Sequence, residues 1–348
     1  MNSRERVFAA LEHRQPDRCP VDFWVEDATR KTLLDYFGFT DEQQLIEKFE
    51  VDLQFVFPDS KLPAPVMLPD GSWYDETGAR RRLQKTTACE YTEWMSYPLA
   101  EAETVDDLLK YDKWPDAAMS DWESYSDKIG DLHKKRVIKL HTGGLYERAW
   151  LLTGQEKFLE DMIENPDIPH FIMGKLCDYW CEYVRRAMDA AGDKIDIVYT
   201  YDDIAAQNGL LMSPKMLEEF VYPYHRKLNA VIHSFGKRVL YHSCGSVISE
   251  IPKLMALPID TLNPLQPRAK GMDFTFIKKT YGDKLTFHGG IDIQHTLPHG
   301  TPDEVQAEVK RAISILGQNG GYIMTSAHYI QNDTPIENIL AMYDTSIR

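Results

Sequence analysis

Ile195-Asp-Ile-Val-Tyr-Thr-Tyr201 and Arg238-Val-Leu-Tyr-His242 are two short, mostly apolar runs separated by a helical stretch at about 214–235. Runs of this kind suit strands covered on both faces. Strand, helix, strand in that order implies a parallel pair joined by a right-handed crossover. The alternation extends both ways. Upstream, Val137-Ile-Lys-Leu-His141 is a strand, followed by helical stretches at about 145–164 and 167–190 split by Asn165-Pro166. Downstream, strands at 259–263, 285–288 and 321–325 alternate with helices at about 247–256, 273–281 and 302–316, and a last helix starts near Pro335. Two earlier strands, 20–24 and 51–57, bring the number to eight. Eight such units close most naturally into a (β/α)8 TIM barrel. An open doubly wound sheet is the competing arrangement, but no glycine-rich phosphate fingerprint follows the first strands.

The rest of the chain decorates that frame. Residues 3–13 form an amphipathic N-terminal helix that Asn2 or Ser3 could cap, and helical stretches cover 29–37 and 41–49. Residues 60–98 carry turn signals and alternating segments, which predict one or two inserted β-hairpins; a polar helical stretch covers 104–130. No linker or internal repeat breaks the pattern, so residues 1–348 are expected to form one barrel domain.

Composition sets bounds on function. The chain has 348 residues, 43% hydrophobic and 27% charged, which is ample material for a core. A net charge of −15 disfavours nucleic acid and anionic membranes as partners. The N-terminus carries no apolar signal segment, and no apolar run approaches the ~18 residues of a membrane span. Five cysteines without framework spacing point to a reducing cytoplasm. Cys177 and Cys181 read as two buried thiols on one face of a helix.

In a barrel the chemistry gathers at the C-terminal ends of the strands. Those positions read Phe57-Pro-Asp59, His141-Thr-Gly-Gly-Leu-Tyr-Glu147, Tyr201-Asp-Asp-Ile-Ala-Ala-Gln207, His242-Ser-Cys-Gly245, Asn263-Pro-Leu-Gln266, His288-Gly-Gly-Ile-Asp292 and Ser326-Ala-His328. Nearly every strand end carries an ionisable or amide group beside small residues, which argues for an enzyme with a small-molecule substrate. His242-x-Cys244 is the sharpest local feature. An imidazole and a thiolate two residues apart can share one zinc ion, with His328 as the third ligand. The plainer reading is a buried thiol beside a hydrogen-bonded imidazole. Tyr146, Asp202, Asp203, Gln207 and Asp292 are candidate substrate-binding groups. One of Asp202 and Asp203 is expected to be structural, because Asp after a strand commonly caps the next helix. Phe23, Trp24, Tyr146 and Trp150 would suit an aromatic substrate or ordinary packing.

At these residues the chain resembles the uroporphyrinogen decarboxylase superfamily, most closely from about residue 137 onward. The blocks are Tyr201-Asp-Asp-Ile-Ala-Ala-Gln-Asn-Gly-Leu-Leu-Met-Ser-Pro214, Tyr241-His-Ser-Cys-Gly245, Phe287-His-Gly-Gly-Ile-Asp292 and Ala327-His328 with Thr334-Pro335-Ile-Glu-Asn338. The decarboxylase itself carries an arginine-rich N-terminal signature, Arg-Gln-Ala-Gly-Arg. The region here is Pro20-Val-Asp-Phe-Trp-Val-Glu-Asp27, acidic and without arginine. That departs from a site for an octa-anionic tetrapyrrole. The corrinoid-linked methyltransferase branch is the closer match. It binds zinc through His-x-Cys and a later Cys, and here the later position falls at His328. The resemblance therefore implies a zinc-dependent methyltransferase moving a methyl group between a small methoxy, methylamine or thiol compound and cobalamin on a carrier protein. The alternative it implies is a metal-free decarboxylase or lyase on a small non-tetrapyrrole substrate. Asp59 would stabilise a protonated intermediate there, and His328 would donate the proton. A barrel retained as a non-catalytic scaffold is a third reading.

Overall fold

The computed structural model describes residues 1–86 and 90–347. Seven parallel strands, in sheet order, are β1 (Leu53–Phe55), β2 (Val137–Gly144), β3 (Ile197–Tyr201), β4 (Arg238–His242), β5 (Thr261–Leu265), β6 (Thr286–Ile291) and β7 (Tyr322–Ser326). Neighbours in sequence are neighbours in the sheet, with registers such as Leu53↔Val137, Leu240↔Tyr199 and Gly290↔Thr325. Helices fill the connections, as the alternation predicts.

The eighth position is held by residues 20–25, which form bridges and not a full strand. Val21 pairs with Met324 and Val25 with Ile330, both parallel. On the other side the amide of Asp52 donates to Val21 O at 2.8 Å. This segment closes the curled sheet between β7 and β1. Pro20 has no amide to donate, which shortens the ladder here.

Strand periodicity decides what lies inside. Along β2, Ile138 and Leu140 join the shell between sheet and helices, whereas Val137 packs in the barrel interior. Along β4, Val239 and Tyr241 face the helices and Leu240 faces inward. Alternate residues share a face, so Lys139, His141, Tyr199, His242, Asn263 and His288 also lie inside. Val7 and Leu11 of the N-terminal helix (Ser3–Leu11) pack under the inner cluster with Leu53, Val137, Ile197 and Leu240. They plug the barrel at the N-terminal ends of the strands and leave the opposite mouth for the site.

Several expectations need revision. The stretch 104–130 is not one helix. It breaks into helices Val105–Lys110 and Tyr125–Ile129 around a 3-10 turn at Ala117–Met119, because Pro115 cannot continue a helix and Asp116 caps the turn through Ala118 N. The stretch 214–235 is helical but carries a π segment, Leu217–Val221, just before Pro223. Proline lacks the N–H that an α-helix would use there, and the wider turn absorbs the defect. As expected for the inserted region, Ser72–Tyr74, Arg80–Lys85 and Glu90–Trp94 pair as a three-stranded antiparallel sheet, with Ser72↔Arg82 and Arg81↔Trp94 in register. Cys89 lies outside the described residues. Asn2 and Thr301 each cap their helices in full capping boxes. Cys177 and Cys181 are buried, their sulfurs 4.0 Å apart.

Candidate metal centre at the barrel mouth

β4 ends with His242 pointing inward, and the turn that follows brings Cys244 back beside it. His242 Nε2 and Cys244 Sγ are 3.4 Å apart. Ligand atoms of His242, Cys244 and His328 all lie within 4.8 Å of one another. Zn–N bonds of ~2.0–2.1 Å and a Zn–S bond of ~2.3 Å give tetrahedral edges of roughly 3.3–3.6 Å. The His242–Cys244 pair already meets that spacing, and His328 needs a small inward movement to join. Three such ligands leave a fourth position open.

Gly245 makes the turn possible. It has φ +86°, and a Cβ there would sit 2.5 Å from Ala206 O. Cys244 N donates to Asp203 Oδ1 at 2.8 Å, and Gly245 N donates to Gln266 Oε1 at 2.8 Å. The ligand loop is thus fixed by its own backbone amides.

The electrostatics suit a cation. Burial disfavours charge on His242, yet Cys244 and Asp203 more than offset this and raise its pKa well above the ordinary histidine value. The field that holds a proton there would equally hold a metal ion. His328 behaves in the opposite way. Burial, then the positive His242, lowers it to about 4, so its ring is neutral at pH 7 and keeps a lone pair. Asp203 is lowered despite burial, through its hydrogen bond with His242 and the charge there.

A hydrogen-bonded chain runs inward from the centre. His242 Nδ1 meets Asn263 Oδ1 at 2.5 Å, Asn263 Nδ2 meets His288 Nδ1 at 2.6 Å, and His288 Nε2 meets Asp22 Oδ2 at 2.9 Å. Asp22 also pairs with Lys139, both fully buried. Such partners orient a metal-binding imidazole. Aromatic rings surround the chain. Trp24 stacks on His242 at 6.2 Å and on Tyr329 at 5.1 Å between centroids, and Tyr199 meets His242 edge-on at 5.9 Å. A cleft of about 490 Å3 lies against the outer side of this cluster, lined in part by Trp24, Glu26, Arg30, Phe55, Phe57 and Tyr329.

The other residues singled out in the sequence fall in different places. Asp202 is structural: fully buried, it accepts the amides of Leu145, Tyr146 and Glu147 at 2.8–3.1 Å, and His225 Nε2 at 2.6 Å. It caps the helix Tyr146–Thr153 and cannot reach a substrate. Its neighbour Asp203 faces the metal centre. Tyr146 is buried and packs on Phe158, away from the cleft. Gln207 Nε2 donates to Gln266 Oε1 at 2.9 Å, so it braces the cysteine loop. Asp292 closes a local turn through Gln294 N at 2.8 Å. Asp59 is 64% exposed and pairs with Lys128, so it is not brought into the cluster. Of the four aromatics, Trp24 enters the barrel, whereas Phe23 packs outside against Phe49 and Tyr343. Trp150 and Tyr146 belong to the outer shell of the core.

Sequence reasoning passed over Lys139, Asp22 and the role of His288. It also passed over Glu147, which burial and then Asp202 and Asp203 push up to about 7. A lysine at an inward position of an otherwise apolar strand was the available signal for the first of these.

With this geometry described, comparison with known proteins fixes the class. The family model for uroporphyrinogen decarboxylase (URO-D) matches residues 147–347, more than half of the chain. The protein belongs to the uroporphyrinogen decarboxylase family. Among relatives, a uroporphyrinogen decarboxylase of Pelodictyon phaeoclathratiforme is 24% identical over 185 residues, 51% of this chain and 48% of that one. One from Aliivibrio salmonicida is 26% identical over 192 residues, 52% and 49% respectively. The chain thus spans about half the length of these relatives. Among solved structures, a methyltransferase from Methanosarcina mazei aligns with a TM-score of 0.68 at 18% identity, covering 98% of this chain and 97% of that one. At that identity the likeness is one of fold.

Proposed function

We propose that this protein is a zinc-dependent methyltransferase that moves a methyl group between a small methylated compound (a methoxy compound, a methylamine or a thioether) and the cobalamin of a corrinoid carrier protein. The observation that carries the reading is the convergence of His242, Cys244 and His328 at the open mouth of the barrel. Zinc, when bound, supplies a Lewis acid that stabilises negative charge on the heteroatom that loses or accepts the methyl group. The fold shared with the Methanosarcina mazei methyltransferase supports the branch, as does the acidic, arginine-free segment 20–27.

The chain's own groups provide the rest. Trp24, Phe55 and Tyr329 shape an apolar wall that orients a small substrate and excludes water. Asp203 holds the Cys244 amide and keeps the thiol aimed at the centre. Among the described residues no helix is long and apolar enough to cross a membrane.

The test is metal content of purified wild type beside His242→Ala/Cys244→Ala, followed by methyl transfer to or from free cobalamin, read by its visible spectrum. About one zinc per chain, lost in the double variant, together with zinc-dependent transfer, is the expected result. Wild type without bound zinc, or activity indifferent to chelation, rejects the reading.

A further inference from the structure

The chain of polar groups behind the metal centre has a defined direction, and that direction starts at a residue far from the ligands in sequence. Asp22 Oδ2 receives Trp24 Nε1 at 2.9 Å and the ammonium of Lys139. Its other oxygen receives the amide of Phe23 at 2.9 Å. An indole N–H, an ammonium and a backbone amide can only donate. The Asp22 carboxylate is therefore an acceptor throughout, and His288 Nε2, 2.9 Å from the same Oδ2, must carry a proton. Burial lowers the pKa of His288, so the ring holds one proton and its Nδ1 is a lone pair. A lone pair 2.6 Å from Asn263 requires the amide NH2 there, which turns the amide oxygen toward His242. His242 Nδ1, at 2.5 Å, must then donate. When a metal ion takes the place of the second ring proton, the lone pair it meets is on Nε2, the atom facing Cys244.

We propose that Asp22, three hydrogen bonds away from His242, is a positioning residue that fixes the tautomer in which His242 Nε2 offers its lone pair to the metal centre. The assignment rests on the metal reading above and extends it. Every member of the chain is buried, with Asp22, Asn263 and His288 each at 1% exposure or less. Lys139 balances the Asp22 charge and lies 3.9 Å from the centre of the Phe55 ring. Without the Asp22–Lys139 pair, a proton on His288 Nε2 would face an apolar wall. The ring would then favour the other tautomer, Asn263 would turn over, and His242 would be left with its proton on Nε2.

The test replaces the pair together, Asp22→Leu with Lys139→Met, so that no unpaired charge is buried. Zn2+ affinity is measured by competition with a chromogenic chelator, with circular dichroism and thermal unfolding as checks of folding. A fall of about tenfold or more is expected. Asn263→Ala severs the same chain and should cost a similar amount. Combining both sets should cost little more than either, because the chain fails once. Wild-type affinity in a folded Asp22→Leu/Lys139→Met protein, or losses that multiply in the combination, overturns the assignment. A second readout needs no variant and no metal: long-range 1H–15N correlation of the wild-type histidine rings should place the His288 proton on Nε2. Finding it on Nδ1 overturns the assignment even if the double variant does not fold. A wild type that binds no Zn2+ overturns the metal reading itself, and this assignment with it.

Discussion

Asp202 and His225 meet at 2.6 Å in the fully buried layer behind β3 and β4, and the same carboxylate accepts three successive helix amides. Four donors converge on one side chain whose neighbour in sequence serves the metal centre. Asp202→Asn leaves at least one of them without an acceptor. Loss of about 2–4 kcal/mol in urea unfolding is expected, while the folded fraction keeps its zinc. Unchanged stability would remove the capping role.

Gly245→Ala strains the loop that carries Cys244, because its φ of +86° is unfavourable for alanine and its Cβ would press on Ala206 O. A stability loss of about 1–3 kcal/mol should accompany weaker zinc binding. Metal affinity equal to wild type would mean that the loop accommodates the side chain without moving Cys244.

His328 is the third member of the proposed ligand set, within 4.8 Å of His242 and Cys244 ligand atoms. His328→Cys should retain zinc, since sulfur is a competent ligand. After exchange for Co2+ it should strengthen thiolate-to-metal charge transfer in the near ultraviolet. His328→Ala should lose the metal by dialysis. Retention of metal in the alanine variant would show that His328 is not a ligand.

Glu147 is held at about 7 in the folded chain, against ~4.3 when unfolded. Between those values the folded state keeps a proton that the unfolded state releases, so stability falls as pH rises through the window. Glu147→Gln should flatten that slope and gain on the order of 1–2 kcal/mol at pH 8, a figure reduced for partial solvent screening. A variant with the wild-type slope would place the titration elsewhere.

Asp59 decides against or for the lyase alternative. Its carboxylate is exposed and its partner is Lys128. Asp59→Asn should change stability by less than about 0.5 kcal/mol and leave turnover within twofold. A loss of a hundredfold or more would revive a proton-transfer mechanism centred on that residue.

The barrel was legible because buried parallel strands declare themselves as apolar runs at helix-length intervals. The His242–Cys244 pair was legible because two residues on one turn need no tertiary information to meet. Other features depended on long-range contacts. Residues 20–24 read as an ordinary strand, and the bridges of Val21 to Met324 and Val25 to Ile330 show this stretch to be a seam. Asp22 and His288 are 266 residues apart in sequence, and nothing local marks them as partners. Asp202 and Asp203 are adjacent and chemically identical, so their division of labour depends on which face of the chain each occupies. Tyr146 packs on Phe158 and Asp292 closes a turn at Gln294, because a strand-end position does not guarantee that a side chain points into the mouth.

The seam has a consequence for how function is distributed along the chain. The stretch that closes the barrel at its beginning supplies Asp22 and Trp24, and the stretch it closes against supplies His328. A polypeptide interrupted before residue 328 would lack the Val25–Ile330 bridge and His328 at once. Partial lengths are therefore not weaker versions of the protein: the candidate ligand set runs from His242 to His328, and the hydrogen-bonded chain behind it reaches back to Asp22 in the closing seam.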